Sequence, residues 1–145
     1  MVSPEVEAHT EQHHADLRFW AYGDRAREAA TELLIRAFSG QFATPAYPWI
    51  VDGEYKPAVD FEAIEGNLQG LLKKERRLLV LAASIGRGGV RIDLGDVIPG
   101  LDRTLLDLVL AAVAHLGVEQ HHSSNLLGGT DQQTAEPPPL HWWPA

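Results

Sequence analysis

Two sets of side chains in this chain have types and spacings suited to chemistry. His9, His13 and His14 form an H-x-x-x-H-H run. On a helix His9 and His13 share a face, and two imidazoles so placed can grip a zinc-like ion. A third ligand is needed, and Glu5 or the second pair, His121-His122, would have to supply it. The run is not the His-Glu-x-x-His pattern of zinc proteases, and solvated histidines in an arm account for it without metal. The other set is Asp93 and Asp96, flanked by Arg87 and Arg91, with His115 further along. Two carboxylates three residues apart manage acid–base work when one of them is desolvated. Turn residues on a solvated strand face explain the same pattern. His115, inside an apolar helix, reads first as a satisfied interior histidine.

Other chemistries find no support. Cysteine is absent, which removes thiolate catalysis, disulfides and cysteine-ligated zinc. None of the few serines sits in a G-x-S-x-G elbow. Gly86-Arg87-Gly88-Gly89 lacks the spacing and the Lys-Ser/Thr of a phosphate loop. No cofactor is implied by any of these motifs.

The C-terminal stretch Glu136-Pro137-Pro138-Pro139-Leu140-His141-Trp142-Trp143-Pro144-Ala145 is the least expected feature. A polar tail has no core to join, so large aromatics there dock on their own domain, on a second subunit or on a foreign partner. Docking each tryptophan contributes at most about 4–6 kcal/mol, while ordering the last ten residues costs on the order of 10–15 kcal/mol. The two nearly cancel. Leu140 and a prepared groove are therefore needed as well.

Composition narrows the class of partner. The 145 residues fit one domain, and 45% of them are hydrophobic, as in a globular chain. The formal charge of −8 disfavours nucleic acid and anionic membranes, and suits solubility or a basic protein partner. No signal peptide or membrane-spanning apolar run is visible, which is compatible with a cytoplasmic protein.

The elements that must position these residues follow from periodicity. Ser3-Pro4-Glu5 starts a short exposed helix or arm over residues 1–16. Leu17 to Tyr22 reads as an aromatic strand, and Asp24 caps a helix that ends near Phe38 and Gly40. The proline- and aromatic-rich segment 41–59 carries an Asp52-Gly53 hairpin signal joining 49–51 to 54–56. Phe61, Ile64, Leu68, Leu71 and Leu72 space a second helix, closed at its C-terminal end by Lys73, Lys74, Arg76 and Arg77. Leu78 to Ile85 reads as a buried strand, paired through the glycine turn with the alternating 90–94. A last helix, about 102–116, is apolar nearly all round and belongs at the centre or at a subunit interface.

The order predicts an α+β fold: a small mixed or antiparallel sheet of about three to five strands packed against two to three helices. The domain spans 17–122, followed by an extended Pro/Trp tail at 123–145. The leading functional expectation is a non-enzymatic protein-binding module of inhibitor or immunity type. Leu140, His141, Trp142 and Trp143 would anchor a protein partner or the second subunit of a homodimer. The alternative is a small enzyme or ligand-binding protein. Its pocket would be lined by Trp20, Tyr22, Tyr47 and Trp49, with Asp93, Asp96 or His115 supplying the polar group.

Overall fold

A computed structural model describes residues 3–54, 56–117 and 143–144. The fold is mostly helical (67%), which overturns the expected sheet of three to five strands. Helix α1 (Pro4–Ala21) starts on the Ser3 hydroxyl, which accepts from the Val6 N–H, with proline at the first position and Glu5 and Glu7 at the positive end. Helix α2 (Arg25–Arg36) starts on Asp24, whose carboxylate accepts from the Arg27 N–H. Helix α3 (Lys73–Ile85), the single-turn α4 (Leu94–Val97) and α5 (Arg103–Gly117) complete the set. The strands among the described residues are β1 (Ile50–Asp52) and β2 (Pro57–Val59).

Helix α2 is the central element, with α1, α3 and α5 packed around it. Every residue from Ala29 to Ile35 is buried, and Leu33, Leu34, Leu78, Leu79 and Ala112 form the middle of the core. The centre is thus held by α2, whose Arg36 and Glu32 are charged, and not by the more apolar α5. Helix α5 covers one side of α2 through Leu105, Leu108, Val109, Ala112 and His115.

Three expected strands are corrected. Leu17–Tyr22 is the last turn and a half of α1: Leu17 and Ala21, four residues apart, are buried, while Phe19 and Tyr22 face solvent. Their aromatic character suggested a strand, but it is the pair Leu17 and Ala21 at helical spacing that packs. Leu78–Ile85 is the body of α3, and the basic run before it is the first turn of the same helix. A continuous apolar run of this length does not distinguish a buried strand from a helix covered on most sides. With that partner gone, Val90–Asp93 pairs with no strand among the described residues before α4.

The helix expected from Asp60 is replaced by two single 3-10 turns, Phe61–Ala63 and Glu65–Asn67. Gly66 and Gly70 interrupt that stretch, each costing a helix about 1 kcal/mol, and Gly70 takes φ 81°. Lys73, Lys74, Arg76 and Arg77 therefore sit at the N-terminal end of α3, where the helix dipole disfavours them. Local partners offset this: Arg76 donates to the Leu71 carbonyl at 2.8 Å, Lys74 faces Asp102 at 3.9 Å, and Arg77 lies across Gly100. The Asp52-Gly53 hairpin does form, but pairing begins after a longer connection, with Ile50 opposite Val59 and Asp52 opposite Pro57.

Between α2 and β1 the chain makes an unusual reversal. Phe38, Ser39 and Gly40 all adopt left-handed backbone (φ 52°, 56° and 81°). Each non-glycine residue so held costs about 1–2 kcal/mol. Aromatic packing holds the turn: Phe38 meets Phe42 edge-on at 5.4 Å, and Trp49 donates its indole N–H to the Phe42 carbonyl at 2.7 Å.

Candidate functional site

The residues singled out by the sequence are not gathered into one pocket. Tyr47 and Trp49 stack on each other (4.9 Å, 17°) beside Phe42; Trp49 is fully buried in the core and Tyr47 packs against it. Trp20 lies against Phe61 with the Arg27 guanidinium 4.8 Å above its ring, and Tyr22 is 81% exposed. Asp93 and Asp96 are both solvent-exposed. Across three clefts on the described surface, Trp20 alone among these aromatic and acidic residues lines any of them.

His115 is buried near the end of α5. Its Nε2 lies 2.9 Å from Glu28 Oε1, and Arg25 Nη1 approaches both at 3.5 Å. The Nδ1 atom of His115 has no partner among the described residues. This trio joins α2 to α5 and closes one side of the Trp143 site.

The histidines of α1 divide. His9 is exposed, whereas His13 Nε2 lies 2.7 Å from the Ala43 carbonyl. Asp16, on the same cleft wall, is held below the ordinary carboxylate range by hydrogen bonds from Lys56 and then Gln12. No group of three potential metal ligands is assembled among the described residues. His14 turns inward against Gly40, with its Nε2 buried and without a partner among the described residues. Burial holds it below its ordinary pKa, and the neighbouring Arg18 guanidinium adds to the effect.

Of the four expected tail anchors, Trp143 lies within the described residues, and Leu140, His141 and Trp142 lie outside them, as do His121 and His122. Trp143 is 4% exposed and joins the hydrophobic core. Its ring centroid is 6.4 Å from that of His115, and the Arg36 guanidinium is 5.5 Å from it. Arg36 Nη1 donates to the Pro144 carbonyl at 2.9 Å. The end of the chain is thereby fastened to α2 and α5 of its own domain.

Sequence reasoning missed what lies beneath this anchor. Glu32, 5% exposed, accepts two hydrogen bonds from Arg18 (both 2.8 Å) and one from Arg36 (2.6 Å). Burial alone would raise its pKa. The Arg18 and Arg36 hydrogen bonds outweigh that and keep the carboxyl below its ordinary range. The available signal was Glu32 and Arg36 at i,i+4 with Glu32 on the apolar side of α2.

A different feature is left open to solvent. On α5 Leu106, Leu110 and Val113 recur at i, i+4 and i+7; Leu110 is 57% and Val113 51% exposed, and Leu106 is half-buried. Leu116 borders this stripe and is also exposed. Among the described residues no helix is long and apolar enough to cross a membrane. Comparison with protein-family models, with curated proteins and with solved structures returns no match for this chain.

Proposed function

We propose that this chain is a non-enzymatic protein-binding module of inhibitor or immunity type, with α5 as its contact helix. The carrying observation is the exposed pair Leu110 and Val113, with exposed Leu116 beside it and half-buried Leu106 one turn before. Covering the exposed parts of these side chains would contribute roughly 1 kcal/mol each, a useful centre for an interface but a loss to a chain left alone in water. A helix with anchors at this spacing suits a groove or a second helix on a partner. The formal charge of −8 favours a basic partner and speeds its encounter. In this reading Trp143 braces the C-terminal end of α5, and Leu140, His141 and Trp142 extend the contact surface.

The test uses the full chain and its Leu110→Glu/Val113→Glu variant, both checked for folding. Each serves as bait for a lysate, any captured protein is purified and rebound, and masses are measured by light scattering. The expected result is a basic protein that rebinds the native chain and not the variant. A native dimer that the variant loses would instead make a second copy the occupant. Identical captures by two folded monomers would overturn the reading.

A further inference from the structure

We propose that the junction between α1 and α2 is an acid-sensitive clasp, in which protonation of His14 undocks α1 while α2, α3 and α5 stay packed. The device is independent of what α5 binds. Residues 4–12 of α1 are all exposed, so the helix is held to the body through its second half. There Leu17 and Ala21 are buried, and Arg18 forks onto Glu32 of α2. His13 Nε2 meets the Ala43 carbonyl, Lys56 pairs with Asp16, and His14 lies against the turn at Gly40. With so few ties, one added charge among them is consequential.

Two features of the geometry place the switch at His14. The first is its Nε2, which is shut off from water and has no partner among the described residues. A Cβ at Gly40 would lie 3.1 Å from the His14 Cε1 and 3.2 Å from Nε2, so the backbone of the turn rests on that edge of the ring. A proton added at Nε2 would put a charged N–H there with no acceptor, an arrangement that folded chains avoid. The second feature is the balance of charge around the ring. Arg18 and His13 face it from α1, and Glu32 faces it from α2. The turn over residues 37–43 contributes no titratable side chain. Glu32 already holds two guanidiniums, those of Arg18 and Arg36. An imidazolium would be a third cation on one carboxylate. Burial and then Arg18 hold the His14 pKa down accordingly.

Undocking relieves both conflicts, because the freed ring takes its proton in water. The clasp is at full strength above the ordinary histidine value of 6.5 and weakens as pH falls from there towards the lower folded value. One proton taken up on opening favours the open form by up to about tenfold per pH unit. From pH 7 to pH 5.5 that amounts to roughly eightfold.

The experiment follows amide hydrogen exchange of the full chain by NMR at pH 7 and pH 5.5, with each rate corrected for its intrinsic chemical rate. Amides of residues 14–21 should open together and more readily than those of Leu33, Leu34, Leu79 and Ala82 at both pH values. Their protection should fall about five- to eightfold on acidification in the native chain and in His13→Gln, and under about twofold in His14→Gln. The His14 ring, followed in the native chain, should titrate below the exposed His9, a readout that needs no variant to fold. The idea fails if residues 14–21 open only with the core, or if His14→Gln keeps the full acid response. It also fails if His13→Gln removes that response, or if His14 titrates as His9 does.

Discussion

Glu32→Gln is the most informative single change. It leaves shape and volume nearly intact and removes the charge that Arg18 and Arg36 share. Breaking a fully buried ion pair costs about 3–5 kcal/mol, because the partner is left uncompensated. Here the side chains of Arg18 and Arg36 are 44% and 25% exposed, so water can take back part of that cost. The expected loss is about 2–3 kcal/mol, or roughly 6–12 °C in Tm for a chain of this size. Arg36 also holds the Pro144 carbonyl and covers the Trp143 ring, so its reorientation should loosen the chain end as well. The sign with pH is fixed by the depressed carboxyl. Glu32 contributes its stability above the ordinary value of 4.5, and that contribution is lost as pH falls through the lower folded value. Urea denaturation at pH 7 and through the acid range should therefore show two curves that converge on acidification. Hydrogen exchange at the Trp143 indole should be faster in the variant. A change under about 0.5 kcal/mol at pH 7, within the range of ordinary surface substitutions, would refute the argument, as would parallel acid profiles.

Two further outcomes follow from the packing. His14 is held below the ordinary histidine value of 6.5, so the unfolded chain binds more protons just below that pH and stability should fall as pH drops through the window. His14→Gln should flatten the urea-midpoint profile there, and an unchanged slope would count against a buried neutral imidazole. A Cβ at Gly88 would lie 2.5 Å from the Phe61 carbonyl oxygen, so Gly88→Ala should cost about 1–3 kcal/mol, whereas Gly95→Ala, with nothing within 4 Å, should be neutral or mildly stabilising in thermal melts.

Local signals in this chain were legible where a cap or a stop decided the matter. Ser3-Pro4 and Asp24 start helices close to where their chemistry places them, and Asp52-Gly53 marks a real hairpin. The errors fall where a short apolar run had to be assigned a period. Leu78–Ile85 contains Val80 and Ile85 as its β-branched residues against Leu78, Leu79, Leu81, Ala82 and Ala83, a composition that favours helix. Joined to Lys73–Arg77 it has the length of a helix too. Reading the basic run as the end of one helix, instead of the start of the next, misplaced both elements and created a sheet with no strands to build it.

The site residues were less legible than the helices, and for a tertiary reason. Trp20, Tyr22, Tyr47 and Trp49 share a residue class, but α1 turns Tyr22 outward while Trp20 meets Phe61, and the left-handed turn at Phe38–Gly40 folds Tyr47 and Trp49 back onto Phe42. No local pattern announces that turn, since two of its three residues are types that avoid it. Trp143 differs: its apolar surface in a polar tail already demanded a dock, and the cation beside it was the unforeseen part. Arg36 serves Glu32, Trp143 and Pro144 at once, so the same guanidinium neutralises a buried charge and fastens the chain end. The chain end is thus coupled to the centre of the fold. A loss of stability caused at Glu32 should appear at Trp143, a dependence that neither residue displays in the sequence.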